Sequence, residues 1–196
     1  KEVSGDIGIE AMTAGPSEVL IVADKSSNPE WLASDLLGQA EHDQLAQCIL
    51  ISKDKNILEK TKKEVFEQLK NLPRSSIAKK SLMMNGILIY VNSDKKIIEI
   101  TNKIGPEHLE LNVKNYKSFV AKIKNAGSIC LGKYAVMAMT DYGAPGSNHV
   151  LPTDQSSKYS SGLNVSEFMK KISYITLSKK GIESLGPSAI TLANYE

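Results

Sequence analysis

Continuous apolar runs of strand length recur along the chain, separated by segments of helical spacing. The longer runs are residues 19–23, 48–52 and 86–91, and residues 108–111 and 129–131 are shorter ones. Strands covered by helices on both faces of a parallel sheet have this continuous pattern. The alternation predicts an α/β layer with a mostly parallel sheet. Sites in such sheets lie at the carboxyl ends of the strands, and we expect the same here.

Local signals predict the helices between these runs. An Asn-Pro-Glu sequence at residues 28–30 supplies an N-cap, a proline at the first helical position and an acid in the first turn, so a helix begins there. We expect it to run to about Gln47. Apolar residues at helical spacing predict a second helix that ends near residue 73, and residues 94–103 predict a third.

The chain changes character after residue 159. The remaining residues contain short helical pieces, a β-rich segment at 171–178 and a last helix that Pro187 opens. We therefore predict an α/β domain at residues 1–159 and a small, mainly helical C-terminal extension at residues 160–196.

Composition restricts the class of protein only mildly. The 196 residues are 41% hydrophobic and 23% charged, which is ordinary for a globular protein. A net charge of +2 gives no argument for nucleic acid or an anionic membrane surface, and no apolar run approaches the roughly 18 residues of a membrane span. Cys48 and Cys130 lie in apolar runs, as core cysteines of a cytoplasmic protein do.

All three histidines stand in polar clusters beside apolar segments, and each cluster allows two interpretations. Gln39 and His42 are three residues apart in the predicted first helix, so they share one of its faces. The pair is either an ordinary surface or core-edge feature, or part of a metal site in which the histidine is a common ligand and the glutamine an unusual one. Asp141 is either a turn aspartate or an oxygen ligand for the same metal.

Glu107 and His108 form a second cluster at the mouth of a predicted strand. A carboxylate and an imidazole can both be tuned to titrate near neutrality, and they can pass protons to and from a substrate. The other interpretation is a helix cap or a salt bridge beside the strand. Because no glycine-rich dinucleotide fingerprint follows any strand, the residue pattern alone predicts an α/β domain with a candidate zinc and acid/base site.

Five motifs, in this order and at this spacing, resemble histidinol dehydrogenase. They are AGPSEVLIVAD at 14–24, DLLGQAEHD at 35–43, GPEHLEL at 105–111, NAGSICLG at 125–132 and NHVLPT at 148–153. The resemblance covers essentially the whole chain, which corresponds to about the second half of a full-length member. It implies an incomplete Rossmann-like layer and a cytoplasmic homodimer with a shared active site. Members of that family oxidise L-histidinol through L-histidinal to L-histidine in histidine biosynthesis, with two NAD molecules and a bound zinc ion.

The resemblance implies a role for each residue that matches a family motif. Gln39, His42 and Asp141 correspond to zinc ligands, so the amide and the imidazole would share a helix face because both point at the metal. Glu107 and His108 correspond to the catalytic pair. His108 would take the proton from the alcohol as hydride leaves, and Glu107 would activate water for attack on the aldehyde. The implied substrate contacts are Ser17, Gln39, His42, His108, Asp141, His149 and Glu196.

Zinc has no redox role under this resemblance. It would anchor the imidazole and the amine of L-histidinol, so its contribution is mainly positional.

The chain departs from the family pattern, and we expect it to be inactive or nearly so by itself. It begins at Lys1 rather than at a methionine and ends at Glu196 within a helical pattern, so we expect a piece of a longer polypeptide. In the family, most NAD contacts lie upstream of this segment, and the partner subunit contributes a further zinc-ligating histidine from beyond the position of Glu196. The loop from Asp141 to Asn148 is one residue longer than in most members, and Met137 stands where a glutamate is expected.

Two alternatives belong to other functional classes. One is a stand-alone metal-binding or regulatory module of the same fold, which a gene encoding only this segment would favour. The other is a zinc hydrolase that uses Glu107 as the base on a bound water, which would cleave its substrate without NAD.

Overall fold

Five parallel strands form the sheet of the protein. The computed structural model describes residues 15–143 and 148–195. The strand order is β3-β2-β1-β4-β5, and every neighbouring pair is parallel. The strands are β1 at Glu18–Ala23, β2 at Gln47–Ser52, β3 at Gly86–Tyr90, β4 at His108–Asn112 and β5 at Ser128–Leu131. The α/β layer with a mostly parallel sheet is confirmed.

The helices between the strands cover both faces of the sheet. The helices of the described ranges are α1 at Pro29–Ala40, α2 at Lys55–Leu69, α3 at Ser75–Asn85, α4 at Asp94–Ile104, α5 at Lys117–Val120, α6 at Met137–Tyr142 and α7 at Lys179–Ala193. Short 3₁₀ turns occupy Ser156–Lys158 and Val165–Phe168. None of the helices in the described ranges is long and apolar enough to cross a membrane.

The first helix begins as predicted but ends earlier. The side chain of Asn28 accepts a hydrogen bond from the backbone N–H of Glu30 at 2.9 Å, which caps α1. The helix stops at Ala40, and residues 41–46 form turns before β2 begins. The expected end near Gln47 is therefore wrong, because Gln47 already pairs with Glu18 in the sheet.

Helix α3 was not expected from the sequence. Its buried residues are Ala78 and Ser81, and these small side chains do not form a recognisable apolar pattern in the sequence. The hydroxyl of Ser81 donates to the carbonyl of Ala46 at 2.9 Å and so ties α3 to the segment that enters β2.

Two apolar clusters lie on the two faces of the sheet. Alternate residues of β1 belong to different clusters: Val19 and Ile21 pack with α1 and α2, whereas Leu20 and Val22 pack with the side of α4. Burial raises the thiol pKa of Cys48 on β2 and of Cys130 on β5 to about 12 in each case. Both cysteines are free thiols held inside the layer.

Strand β3 differs from the buried strand that its apolar sequence predicts. Ile87, Leu88 and Tyr90 are exposed. The strand pairs with β2 on one side, and no other strand of residues 15–143 and 148–195 pairs with its second edge. The core around β1 therefore ends in an apolar edge strand.

Residues 1–164 form one compact unit and residues 165–196 a second one. The boundary expected between residues 159 and 160 stays a prediction. Within the second unit, residues 171–178 form no strand, so the β-rich interpretation is wrong. Pro187 lies inside α7 rather than at its start, because Ser178 caps the helix by accepting from the N–H of Gly181 at 3.1 Å. None of the described residues of this unit is buried.

Candidate acid/base site

The candidate site lies at the amino edge of the sheet. Ser17 immediately precedes β1, and Glu107 immediately precedes β4. Because β1 and β4 are parallel neighbours with Val19 opposite His108, the residues before both strands meet at one edge. The expectation of a site at the carboxyl ends is therefore wrong for these residues. Their positions at strand starts decide the location.

Glu107 and His108 form a buried carboxyl–imidazole pair. The distance from His108 Nε2 to Glu107 Oε1 is 3.6 Å, and the side chains of His108 and Glu107 are only 5% and 7% exposed. That distance is too long for a good hydrogen bond but allows strong electrostatic coupling in a dry environment. Nδ1 of His108 has no hydrogen-bond partner within the described part of the chain.

Burial shifts the pKa values of the two groups in opposite directions. Desolvation, together with the negative charges of Glu18 and Asp141, raises the pKa of Glu107 to about 7. Hydrogen bonds from the backbone N–H of Glu18 and the hydroxyl of Ser17 oppose that rise. Desolvation also lowers the pKa of His108, so its imidazole is neutral at neutral pH. A neutral imidazole beside a carboxyl that titrates near 7 can exchange protons with a bound substrate.

Gln39 and His42 lie close together, although not on the face of one helix. Gln39 is a buried residue of the last turn of α1, whereas His42 lies beyond the helix and is exposed. The backbone N–H of His42 donates to the carbonyl of Gln39 at 3.2 Å, so a tightened turn follows the helix end. The expectation of a shared helix face is wrong because α1 ends at Ala40. The imidazole of His42 still lies near enough to lower the pKa of His108 by its charge.

Asp141 and His149 follow the last strand in sequence and lie near the Glu107–His108 pair. Asp141 lies in α6, and its Oδ1 is 3.7 Å from Nδ1 of His149. The Asp141 side chain is 8% exposed and that of His149 is 61% exposed. The charges of both residues act on the pKa of His108. Part of the loop that joins them, residues 144–147, and the predicted substrate contact at Glu196 fall outside the described residues.

The donor types of Gln39, His42 and Asp141 fit a zinc ion. No group of three or more His, Cys, Asp or Glu side chains arranged for a metal occurs among residues 15–143 and 148–195. The Gln39 amide is buried, and its Nε2 has no hydrogen-bond partner in the described ranges. A half-turn of the amide would present its oxygen at the same place. An imidazole, a carboxylate and an amide oxygen leave at least one position of a tetrahedral zinc to another donor.

The side chain of Met137 lies in an apolar environment. Its side chain is buried in the apolar cluster beneath α1, and its terminal methyl lies 3.8 Å from the position that a Cβ on Gly38 would take. The thioether therefore packs α6 against α1 where the resemblance suggests a carboxylate.

The structure buries two further carboxyl groups, one on β1 and one on β4, that the sequence motifs do not single out. Glu18 opens the apolar strand β1 and contacts Glu107 through the backbone of both residues. Glu110 lies within β4 and accepts a hydrogen bond at 2.8 Å from the backbone N–H of Met137, the first residue of α6. A single acid in an otherwise buried apolar strand is the sequence signal that points to such residues, because an unpaired buried charge is costly.

The fold and the site together define an α/β domain with a buried acid/base pair and donors suited to a metal ion. The family model for histidinol dehydrogenase matches residues 1–196, and the chain belongs to the histidinol dehydrogenase family.

Named relatives agree with that assignment. Histidinol dehydrogenase of Pelagibacter ubique (strain HTCC1062) is 74% identical over 196 residues, which are 100% of this chain and 46% of that protein. Histidinol dehydrogenase of Listeria monocytogenes serovar 1/2a (strain ATCC BAA-679 / EGD-e) is 44% identical over 196 residues, which cover 100% of this chain and 45% of the relative. The crystal structure of histidinol dehydrogenase from Elizabethkingia anophelis matches with a TM-score of 0.85 and 43% identity, over 94% of this chain and 42% of that one. The chain thus spans less than half the length of the curated relatives it matches.

Proposed function

We propose that this chain is the part of a histidinol dehydrogenase that carries the acid/base pair and the metal-binding side chains. The reaction is the two-step oxidation of L-histidinol through L-histidinal to L-histidine, an oxidoreductase step of histidine biosynthesis in the cytoplasm. The observation that carries the proposal is the buried Glu107–His108 pair, in which burial raises the pKa of Glu107 to about 7 and lowers the pKa of His108. The identity of the substrate is inferred from the family to which the whole chain belongs.

In the first oxidation, His108 acts as the base. Its pKa is lowered by burial, so the imidazole is free to accept the proton of the substrate hydroxyl. Nε2 is the nitrogen on the side of Glu107, and a proton taken there lies close to the carboxyl Oε1 at 3.6 Å. NAD, when bound, accepts the hydride that leaves the same carbon.

In the second oxidation, Glu107 acts on water. A carboxyl whose pKa is raised to about 7 is a stronger base than an ordinary glutamate and can take a proton from a water that attacks the aldehyde carbon. The product of that attack is the hydrate of L-histidinal, which would transfer a hydride to a second NAD and lose a hydroxyl proton to become the acid. The proton from the hydrate hydroxyl returns to His108.

Substrate positioning belongs to the side chains around the pair. Gln39, His42 and Asp141 would hold zinc, which, when bound, fixes the imidazole and amine of L-histidinol. Ser17 and His149 are further proposed substrate contacts: the Ser17 hydroxyl reaches Glu107, and His149 Nδ1 is 3.7 Å from Asp141. Glu196 is a further proposed substrate contact. Holding the alcohol carbon near His108 converts a chance encounter into a directed reaction.

The complete enzyme, we propose, is a homodimer with shared active sites. Gln39, His42 and Asp141 would leave a zinc ion room for a further donor, and the exposed apolar side chains of residues 165–195 support a contribution from a second subunit. Most NAD contacts would lie in the part of the full-length protein that this chain does not contain.

A chimera tests the proposal. This chain replaces the matching 46% of the Pelagibacter ubique relative, and NADH formation is followed with L-histidinol and with L-histidinal as separate substrates. We expect the chimera to turn over both. His108→Asn should slow alcohol oxidation by about 10²-fold or more, and Glu107→Gln should mainly slow aldehyde oxidation, since each removes one acid/base group.

Controls make the chimera test decisive. The exposed Glu59, on α2, offers a Glu→Gln exchange that should leave both rates unchanged. The 196-residue chain alone should form no NADH. If both variants kept both rates, the roles given to Glu107 and His108 would be wrong, and substrate cleavage without NAD would favour a zinc hydrolase instead.

A further inference from the structure

Glu18 is a buried acid at the first position of an apolar strand. Its side chain is 1% exposed, and the rest of β1 is apolar and fully enclosed. A buried carboxylate is costly unless hydrogen bonds offset the loss of hydration. The contacts of Glu18 therefore indicate what the acid does there.

Glu18 and Glu107 exchange backbone-to-carboxylate hydrogen bonds across neighbouring strands. The N–H of Glu107 donates to Glu18 Oε2 at 3.3 Å, and the N–H of Glu18 donates to Glu107 Oε2 at 3.1 Å. Both bonds are buried and join residues 89 positions apart. The reciprocal pair fixes the backbone and one carboxylate oxygen of Glu107 at once.

The reciprocal bonds leave the other oxygen of Glu107 for chemistry. Oε2 is held by the N–H of Glu18, whereas Oε1 is the oxygen that faces His108 at 3.6 Å. A carboxylate held at one oxygen cannot rotate freely, so Oε1 keeps a constant direction toward the imidazole. Such restriction is what a positioned proton acceptor requires.

A strained turn also depends on Glu18. Asp154 and Gln155 are consecutive non-glycine residues with positive φ values of 52° and 59°. The N–H of Gln155 donates to Glu18 Oε2 at 3.3 Å, and the preceding Thr153 accepts from the N–H of Gly15 at 2.7 Å. Two left-handed residues in succession cost free energy, and hydrogen bonds to the start of β1 hold them in place.

We propose that Glu18 is a positioning residue, whose carboxylate and backbone N–H clamp Glu107 so that Oε1 is directed at His108. The proposal rests on the acid/base role of Glu107 in the proposed function. Glu18 touches neither substrate nor cofactor in this role and acts through Glu107 alone.

The charge of Glu18 adds an electrostatic effect to the positioning. Burial is the largest cause that raises the pKa of Glu107, and the charges of Glu18 and Asp141 act in the same direction, whereas hydrogen bonds from the Glu18 N–H and from Ser17 lower it. The pKa of Glu18 is itself raised by burial, with Asp154 adding to the rise and Lys158 opposing it. A change at Glu18 therefore alters the titration of Glu107, which a purely structural residue would not do.

Two variants of the 196-residue chain separate charge from reach. Glu18→Gln keeps the length and one acceptor oxygen but removes the charge, so the titration midpoint of Glu107 should fall by about one pH unit. Glu18→Asp keeps the charge but shortens the side chain, so the amide protons of Glu107 and Gln155 should exchange faster. Carboxyl-carbon NMR with labelled glutamate gives the titration, and amide exchange gives the bonds.

The control is Glu59→Gln, the same exchange on the exposed side of α2, which should change neither signal. Unchanged titration and unchanged amide exchange in both folded Glu18 variants would overturn the proposal. If the variants fail to fold, the parent chain decides: NMR coupling across the hydrogen bond from the Glu18 N–H to the Glu107 carboxylate supports the clamp, and its absence contradicts it. These readouts need no turnover, so an inactive chimera with an intact clamp would count against the proposed function and not against Glu18.

Discussion

At the scale of single residues, burial is the main cause of the pKa shifts of Glu107 and His108. Glu107 and His108 are adjacent in sequence and equally buried, yet one is pushed toward its neutral acid and the other toward its neutral base. Loss of water disfavours the charged form of either group, so the same environment produces opposite pKa shifts. A Glu–His dipeptide at the start of a buried strand is therefore a sequence signal for oppositely shifted pKa values.

Glu110, which is buried, and Asp35, which is half-buried, form a second carboxyl pair, and Glu110 contacts the helix that carries Asp141. Glu110 Oε1 accepts from the N–H of Met137 at 2.8 Å, at the start of α6. Burial raises the pKa of Glu110 well above its ordinary value, and the negative charge of Asp35 adds to the rise. Burial likewise raises the pKa of Asp35 to about 6, against a hydrogen bond from Glu110. Glu110 of β4 therefore holds the start of α6 by its bond to Met137 and interacts electrostatically with Asp35 of α1.

The pair makes the stability of the chain dependent on pH. The folded-state pKa of Asp35, about 6, lies above its unfolded value, so its contribution is fully present below about pH 4 and is lost as the pH rises through 6. Asp35→Asn should remove this loss and stabilise the chain at pH 8 relative to pH 4 by on the order of 2 kcal/mol, compared with the parent.

Urea unfolding at a series of pH values measures that difference. Asp43→Asn is the matched control, because Asp43 is exposed and an asparagine can keep its bond to the N–H of Leu45. Parallel stability curves for the parent and the Asp35→Asn chain would show that Asp35 titrates normally.

The residues that could be found from the sequence are those whose neighbours in sequence are also their partners in space. Glu107 and His108 are one such pair, and Gln39 with His42 is another. Glu18 could not be assigned a role, because its partner Glu107 is 89 positions away and meets it only when β1 and β4 pair.

At the scale of elements, strands were easier to predict than helix ends. Burial on both faces gives β1 and β2 apolar runs that mark them almost residue by residue. The end of α1 is set by the turn before β2, and the small buried side chains of α3 leave no periodic stripe. Both features depend on packing that the local pattern does not record.

Gly105 ends α4 and links it to the candidate site. Its φ of 63° is left-handed, and its N–H donates to the carbonyl of Thr101 at 2.9 Å. A Cβ there would lie 3.0 Å from Cγ of Lys158 and 3.0 Å from Oγ of Ser157. Gly105→Ala should therefore lower the free energy of unfolding by roughly 1–2 kcal/mol.

The matched control is Gly38→Ala inside α1. A Cβ at Gly38 would lie 3.8 Å from the terminal methyl of Met137, an ordinary contact, and alanine is the better helix former, so the change should be neutral or stabilising by up to about 1 kcal/mol. Calorimetric unfolding of the two variants gives the comparison. Equal effects of both substitutions would contradict the strain assigned to Gly105.

At the scale of the whole molecule, many large apolar side chains of the described residues are exposed. Ile87 and Leu88 of β3 are exposed, and so are Phe168 and Ile175 of residues 165–196. Because the chain spans less than half of its relatives, this surface is where we expect further polypeptide to pack. The sheet order and the amino-edge site are also properties of this scale, since parallel pairing joins distant segments that no local pattern connects.

The isolated chain should consequently associate with itself. The open edge of β3 and its apolar side chains favour pairing between copies, so the sedimentation coefficient should rise with concentration. Ile87→Lys should weaken this association. Val120→Lys adds the same charge at an exposed position on α5 and should not. A concentration-independent sedimentation coefficient for the parent chain would show that the edge strand is not adhesive.

The reactivity of the two buried thiols can report the local unfolding of the sheet. A thiol whose pKa is raised to about 12 is almost never a thiolate, so an alkylating reagent should ignore Cys48 and Cys130 while the layer is closed. Cys48 lies on β2 and Cys130 on β5, on opposite sides of β1. Their separate alkylation rates therefore time the local unfolding of each flank, without any introduced label.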